Sequence, residues 1–409
     1  MRFPPAPAGF IKPRATARQP VLAHFRARGA DWTVAQRLSP AWRHGAASRN
    51  MAAAERHIVA RPANRQVMER QGFSIKKDGA IALILSARLG DSLFLMNIAN
   101  NLRRAGRRVV VFGTHGYALA NWFPGFDIRP LPGEDEIAAL GDYAAIIQMA
   151  ASGPIAGLDE RFAQFRAIKS RPAPKAPMDS GGRGSPSWSD GAPGHAHRYN
   201  GAMASFRAFT LSLFGLSDWT REIGLQAPAH LRPRLHERRV IIHPTSSEAA
   251  RCWKPSQYVA LATVLRTRGF EPVFVLAPAE RAEWRDLLAR HGLSILDAPD
   301  LAHTAEAIYE SGWFIGTDSG IGHLASACGI PTVTIVDRPR NMRRWRPVWA
   351  PGLVVQPWWL PMRWLRRAYW REATTVGRTL RTFDKLRKWV EDDGRAAAEA
   401  AGNSRPLPR

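Results

Sequence analysis

The stretch Trp313 to Val336 places a carboxylate and an imidazole around a glycine-broken turn. A short apolar run ends in Gly316-Thr317-Asp318, and a helix of small residues that carries His323 follows. A second β-branched run begins after Gly329 ends that helix. The order strand, turn, helix and strand predicts that Asp318 lies at the C-terminal end of a strand and beside a helix N-terminus. Open α/β sheets bind ligands at that edge, and helix N-termini favour anions.

A second carboxylate follows an earlier strand. The apolar run Ala80 to Ala87 predicts a buried strand, Arg88-Leu89-Gly90-Asp91 a turn, and Ser92 to Ala105 a helix. Asp91 at the head of a helix is either an N-cap or a functional carboxylate. We expect the helix dipole to lower the pKa of Asp91 and to keep it ionised. Asp318 has the same two interpretations, as a cap of the Ser319–Ala327 helix or as a ligand group.

Hydroxyl and guanidinium groups follow a third strand. Arg239 to Ile242 reads as a strand, and Thr245, Ser246 and Arg251 come shortly after it. Hydroxyls, backbone N–H groups and a guanidinium fork suit phosphate oxygens. Alternatively, this is a polar loop with a solvated arginine. If Arg251 is not the phosphate ligand, Lys254 is the next candidate.

The alternation of strands and helices predicts an α/β fold with right-handed βαβ units around parallel sheets. It occurs twice, which predicts two Rossmann-like domains that face a cleft. The expected segments are a basic, poorly packed extension over 1–78, a first domain over 79–225 with a flexible loop at 170–200, a linker over 226–238, a second domain over 239–357 and a helical tail over 358–409.

The bulk composition limits the class of protein. The 409 residues are 45% hydrophobic, as in a globular protein, and 58 Lys+Arg against 34 Asp+Glu give a net charge of +24. That charge favours a polyanionic partner: nucleic acid, anionic lipid or a phosphorylated substrate. Cys252 and Cys328 predict free thiols, and no metal-type Cys/His spacing is present. We expect no membrane span and no secretory signal, although the Arg-rich start resembles a transit peptide as well as a basic arm.

The segment from Arg338 to Trp370 holds six of the fifteen tryptophans, interleaved with arginines. Three interpretations stay open. The segment could be a C-terminal helix that packs back across the first domain, a membrane-surface anchor with Trp at the interface and Arg against anionic headgroups, or a nucleic-acid platform. We favour a mixture of the first two.

Three motifs together resemble glycosyltransferase family 9, the bacterial lipopolysaccharide heptosyltransferases. They read SARLGDSL, HPTSSEAARCWKPSQY and GTDSGIGHLASACGIPTVTIV. The resemblance implies the twin-Rossmann fold called GT-B and inverting transfer of a heptose from ADP-heptose to the lipopolysaccharide core. It also implies an anionic glycolipid acceptor, no cofactor, no tightly bound metal, and a cytoplasmic site peripheral to the inner membrane.

The resemblance also implies roles for individual residues. Asp91 stands where the family has its general base, and Arg88 beside it would contact the acceptor. The implied donor-binding set is Thr245, Ser246, Arg251, Lys254, Asp318, Ser319, Gly320 and His323. The chain departs from the family pattern where Arg251 replaces a lysine, where Lys254 stands between Trp253 and proline, and where Ile321-Gly322 replaces bulkier residues.

Two other functions remain compatible with the sequence. One is a transferase of the same fold that uses another nucleotide sugar. The other is a non-catalytic protein on this scaffold that binds membranes or nucleic acid through its basic surface. The presence of both Asp91 and Asp318 favours a transferase.

Overall fold

The structure is a computed structural model that describes residues 79–169, 201–337, 342, 344–357 and 362–402. All of these lie within one compact unit of the chain, Ala60–Arg409. The predictions for 1–78 and for the 170–200 loop fall outside the described residues, as do Trp358 and Trp359.

The first sheet has five parallel strands in the order β3-β2-β1-β4-β5. The residues of the central strands β1 and β4 are buried and, apart from Gln148, apolar, as parallel sheets covered by helices on both faces require. Its strands are β1 Ile81–Ile84, β2 Val109–Phe112, β3 Asp127–Arg129, β4 Ala145–Met149 and β5 Phe165–Ile168. Its helices are α1 Leu89–Arg104, α2 Thr114–Ala118, α3 Leu158–Arg161 and α4 Gly201–Phe214, with 3-10 turns at Ala120–Trp122 and Glu134–Asp142.

The second sheet has six parallel strands in the order β11-β10-β9-β6-β7-β8. Counted from its own first strand, β6, this is the 3-2-1-4-5-6 order of dinucleotide-binding folds. Its strands are β6 His236–His243, β7 Glu271–Phe274, β8 Ser294–Ile295, β9 Ser311–Thr317, β10 Thr332–Ile335 and β11 Gly352–Val355. Its helices are α5 Pro255–Thr267, α6 Arg281–Ala289, α7 Leu301–Tyr309 and α8 Gly320–Ala327, with a 3-10 turn at Ala249–Arg251.

Two further helices, α9 Arg363–Ala373 and α10 Val376–Gly402, follow the second sheet. Leu380, Phe383 and Leu386 of α10 are buried in the hydrophobic cluster of the second sheet, and α10 contacts β10, β11 and α5. The Trp/Arg segment, which could have packed across the first domain, divides between the two sheets. Trp345 and Trp349 pack against Phe94 of the first sheet's helix, whereas Trp370 of α9 is buried in the cluster of the second sheet.

The two sheets share one hydrophobic cluster. It includes Leu83 and Phe94 from the first sheet and its helix, and Phe314 and Leu324 from the second. Trp349 adds to the contact: its ring lies 5.1 Å from that of Phe94, and its indole N–H donates to the carbonyl of Arg221. Burial of this shared surface holds the helices that follow β1 and β9 against each other.

The predicted strands and helices are present with shifted ends. Helix α1 begins at Leu89, inside the predicted turn, because the amide of Ser92 already donates to the carbonyl of Arg88 at 3.0 Å. Strand β6 begins at His236, inside the predicted linker. Strand β5 was not predicted: it contains Arg166, and Ile168 is its one buried residue, so it lacks the continuous apolar run of a central strand.

Candidate functional site

The candidate residues lie where each sheet reverses its strand order. In the first sheet that point is between β1 and β4, and in the second it is between β6 and β9. Loops at the carboxyl ends of such strands diverge and leave room for a ligand. Asp91 follows β1, Thr245 follows β6 and Asp318 follows β9.

Asp91 accepts a hydrogen bond from a serine on the neighbouring strand's loop. The Ser152 hydroxyl donates to Asp91 Oδ2 at 2.8 Å. In turn, the Ser86 hydroxyl lies 2.7 Å from Ser152 Oγ and 3.5 Å from Asp91 Oδ2. These two hydroxyls, which follow β1 and β4 in the chain, fix the orientation of the carboxylate.

Burial raises the pKa of the Asp91 carboxyl, although the Ser152 hydrogen bond and the positive charge of Arg88 oppose the rise. The prediction that the helix dipole lowers this pKa is wrong in direction. Desolvation disfavours the charged form, and here it outweighs the hydrogen bonds and charges that favour it. Asp91 is also not the N-cap of α1, because that position belongs to Arg88. The raised pKa makes Asp91 a stronger base than an exposed aspartate.

Asp318 has a different partner, the guanidinium of Arg251. Arg251 Nη2 donates to Asp318 Oδ2, and both side chains are largely buried, with 14% and 9% of their surface exposed. The turn that carries Arg251 is fixed from the same strand end, since the Thr317 hydroxyl donates to the Arg251 carbonyl at 2.9 Å. Two residues that the sequence assigned separately to donor binding therefore form one ion pair.

Burial raises the pKa of Asp318, against the opposing charge and hydrogen bond of Arg251; the negative charges of Asp337 and Asp91 raise it as well. Asp318 is not the N-cap of α8, which is Ser319.

Helices α1 and α8 meet through two glycines at their N-terminal ends. A Cβ on Gly90 would lie 2.8 Å from the ring of His323, and a Cβ on Gly320 would lie 2.8 Å from the Leu89 side chain and 3.1 Å from the Gly90 amide. These separations are too short for any side chain. The glycines in the two motifs therefore permit the contact that brings Asp91 and Asp318 together.

His323 is a neutral imidazole at this junction. It is 6% exposed, its ring centroid lies 5.3 Å from that of Phe94, and burial lowers its pKa to about 4. Its Nδ1 is buried, and among the described residues it has no hydrogen-bond partner; the same is true of Ser319 Oγ and Arg251 Nε. Three polar atoms beside the N-terminus of α8 thus have hydrogen-bonding capacity to spare, which suits a polar or anionic ligand.

The remaining predicted residues occupy less central places. The Thr245 hydroxyl donates to Glu280 Oε2 at 3.0 Å, and Ser246, next to it, is half-buried. Lys254 forms an ion pair with Glu372 of α9 at 2.7 Å. Arg88 is exposed at the start of α1. Their assignments as donor and acceptor ligands stay predictions.

Sequence reasoning missed Ser152, Ser86 and Glu280. Ser152 and Ser86 become neighbours only because β4 pairs with β1, and no local pattern reports that pairing. Glu280 precedes α6 and accepts from the amide of Ala277 as well as from Thr245. The available signal was position: each residue follows a strand at the carboxyl edge of its sheet.

Two kinds of feature are absent from the described residues. No three His, Cys, Asp or Glu side chains in that part of the chain cluster as ligands of a metal ion would. Within the same ranges, no helix has both the length and the apolar character needed to cross a bilayer.

One protein-family model matches part of the chain. Residues 186–355 match the family model described as Glycosyltransferase family 9 (heptosyltransferase). That range contains the second and third sequence motifs but not the first, so the assignment of Asp91 depends on its geometry. No curated protein matches the chain in sequence.

Solved structures match over both sheets. The E. coli heptosyltransferase WaaC with ADP is 12% identical, with a TM-score of 0.53, and the match covers 75% of this chain and 99% of that one. A glycosyl transferase family 9 structure from Veillonella parvula has 12% identity, a TM-score of 0.54, and 76% and 98% coverage. The E. coli ADP-heptose lps heptosyltransferase II has 14% identity, a TM-score of 0.52, and 76% and 99% coverage. At these identities the likeness establishes the GT-B fold.

Proposed function

We propose that this chain, whose residues 186–355 match the glycosyltransferase family 9 model, is a glycosyltransferase that moves a heptose from ADP-heptose to a lipopolysaccharide-core acceptor with inversion. The observation that best supports the proposal is the close contact between the turns that carry Asp91 and Asp318. They come from different sheets, and the contact between Gly90 of α1 and His323 of α8 brings them together. A transferase needs a base for the acceptor and ligands for the donor at one point.

Asp91 is proposed as the general base. It removes the proton from an acceptor hydroxyl while that oxygen attacks the anomeric carbon and the bond from that carbon to the diphosphate breaks. General-base catalysis contributes about 10²–10⁴-fold to rate. The buried environment that raises the pKa of Asp91 favours proton uptake, and Ser152 holds the receiving oxygen in place.

The second sheet is proposed to hold the donor. Asp318 accepts hydrogen bonds from sugar hydroxyls, and its ion pair with Arg251 keeps it charged and oriented. Arg251, the Thr245–Ser246 loop and the N-terminal end of α8 surround the departing diphosphate with positive charge and N–H donors. The unpartnered Ser319 hydroxyl and His323 Nδ1 supply further contacts there.

The donor and acceptor classes are part of the proposal. The E. coli neighbours were solved with ADP and with ADP-2-deoxy-2-fluoro heptose, which supports an ADP-linked sugar. The acceptor is an anionic glycolipid that contacts Arg88, which is exposed beside Asp91. The enzyme would then work on the cytoplasmic side, peripheral to the inner membrane, without a cofactor.

A thermal-shift panel of nucleotides and nucleotide sugars tests the donor. We expect ADP and ADP-heptose to raise the melting temperature, since a ligand at 100 times its Kd adds about 2.7 kcal/mol of stability. Selective stabilisation by UDP or GDP compounds would replace ADP-heptose with another donor. A chain that no nucleotide stabilises, and that transfers no sugar, would be the non-catalytic alternative.

A further inference from the structure

The surface of helix α9 exposes an unusual share of large apolar side chains. In the described part of the chain, five such side chains are half or more exposed, and three of them are Met362, Trp364 and Tyr369. Arg366 and Arg367 lie between them, half-buried and exposed. We call these five residues the α9 surface. Neither the family match nor the proposed chemistry uses it.

Helix α9 is attached to the protein by its C-terminal half. Trp370 is buried in the second hydrophobic cluster, and the Arg371 guanidinium donates to the carbonyls of Cys252 at 2.8 Å and Ala249 at 3.0 Å. The Trp253 indole donates back to the carbonyl of Arg371. In the N-terminal half, the Trp364 indole N–H donates to the sulfur of its neighbour Met362. Its side chain is 63% exposed, and Tyr369, next to the buried Trp370, is 53% exposed. The apolar side chains of the α9 surface are thus open to solvent beside a firmly fixed base.

The chemistry of the α9 surface suits the boundary of a lipid bilayer. Tryptophan and tyrosine rings prefer the headgroup level, and arginines beside them attract anionic headgroups. An exposed apolar patch on a soluble protein usually marks a binding surface. The charge of the whole chain, +24, complements an anionic surface. The large apolar side chains Met362 and Trp364 suit insertion at a bilayer boundary better than contact with a charged phosphate backbone, so nucleic acid is the weaker choice.

We propose that the α9 surface docks the protein on a membrane that carries anionic lipid headgroups, with Trp364 and Tyr369 at the interface and Arg366 and Arg367 against the headgroups. This deepens the proposed function, because it rests on a lipid-borne acceptor. The docking itself requires no catalysis.

The position of α9 relative to the candidate site supports this assignment. Arg371 bonds the two carbonyls that flank Arg251 in the chain, those of Ala249 and Cys252. The Arg251 guanidinium in turn pairs with Asp318. The docked helix is thus fixed directly to the turn that carries the proposed donor ligand, so a membrane-borne acceptor would be presented near the donor.

Co-sedimentation of the full chain with vesicles tests the proposal. We expect binding to vesicles that contain phosphatidylglycerol, and weaker binding to pure phosphatidylcholine or at high salt. The Trp364→Ser/Tyr369→Ser variant should bind about tenfold more weakly or worse, since it loses two insertable side chains. The Arg366→Gln/Arg367→Gln variant should lose about fivefold per arginine on anionic vesicles only.

The matched control removes two equally exposed apolar side chains elsewhere, with Tyr117→Ser and Leu235→Ser, which are 56% and 50% exposed in the wild-type chain. We expect this control variant to bind vesicles like the unchanged chain. The control and the Trp364→Ser/Tyr369→Ser variant should both keep the original melting temperature, because their replaced side chains are half or more exposed. Equal loss in the control and the α9 variant would overturn the proposal. So would an α9 variant that keeps vesicle binding but loses single-stranded RNA binding.

Sugar transfer is measured separately from vesicle binding, so the proposed function and the docking surface are tested independently. With a delipidated acceptor in solution, the α9 variant should transfer sugar as fast as the unchanged chain. Vesicle binding without any transfer would reject the transferase proposal alone. Transfer together with α9-independent vesicle binding would reject the docking surface alone.

Discussion

The turns that carry Asp91 and Asp318 occupy equivalent places in the two sheets. Each follows a strand at the point where the strand order reverses, and each stands beside a helix N-terminus. Their partners differ: serine hydroxyls surround Asp91, whereas a guanidinium neutralises Asp318. A carboxylate that must gain and lose a proton needs neutral hydrogen-bond donors. A carboxylate that must stay charged and hold a ligand needs a cation.

The largest expected effect is on turnover in Asp91→Asn. We expect the transfer rate to fall about 10²–10⁴-fold while donor affinity stays within a few-fold, as measured by initial rates and calorimetry. The melting temperature should rise, because the substitution removes a carboxylate whose burial disfavours its charge.

Asp127→Asn is the matched control for Asp91→Asn. Its carboxylate lies on the surface of the first domain, paired with Arg129 at 2.7 Å. The Asp127→Asn substitution should leave the transfer rate unchanged. Full activity in Asp91→Asn would show that Asp91 is not the general base. The proposed difference between Asp91 as a base and Asp318 as a ligand would then be wrong.

Asp318→Asn should affect stability with the opposite sign. It removes the buried carboxylate partner of the Arg251 guanidinium and leaves only Glu248, whose half-exposed carboxylate lies 3.7 Å away; breaking a buried pair costs about 3–5 kcal/mol. We expect a lower melting temperature and a donor affinity that falls more than kcat does.

An exposed ion pair provides the control for Asp318→Asn. Asp384→Asn breaks the pair with Arg268, in which both side chains are more than 40% exposed, and should cost about 1 kcal/mol or less. Replacing both partners, with Arg251→Met and Asp318→Asn, should restore part of the stability but not donor binding. If Asp318→Asn is no less stable than Asp384→Asn, the pair does not have the role proposed for it.

The smallest expected effect is that of Ser152→Ala on the pH profile. The Ser152 hydrogen bond lowers the pKa of Asp91, so its loss raises that pKa further. Because the base must be deprotonated, the acidic limb of kcat/KM should move to higher pH. The rate above that limb should change by about tenfold or less.

Ser92→Ala is the control for this shift. Its hydroxyl bonds to backbone carbonyls of Ser86 and Arg88 and not to Asp91, so the acidic limb should stay in place. An unmoved limb in Ser152→Ala would mean that the serine does not tune Asp91.

Much of the fold could be predicted from sequence because its signals are local. The run from Ile81 to Ile84 is apolar throughout and is buried throughout. The glycine-broken turn after β9 correctly predicted helix α8 and the strand β10 that follows it. The failures concern long-range contacts. One interpretation of the Trp/Arg segment packed it across the first domain, but Trp370 is buried against the second sheet while Trp349 packs on Phe94 of the first. No local pattern in the segment tells which sheet each tryptophan covers.

The sequence by itself determined the parallel sheets and the turns with Asp91, Arg251 and Asp318, because these depend on short motifs and periodicity. The tertiary structure decided which groups these residues meet. Ser152 reaches Asp91 because β4 pairs with β1, and Arg251 reaches Asp318 because β6 pairs with β9. It also decided the direction of the pKa shift of Asp91. That shift reflects desolvation by groups distant in sequence, which the local helix dipole could not reveal.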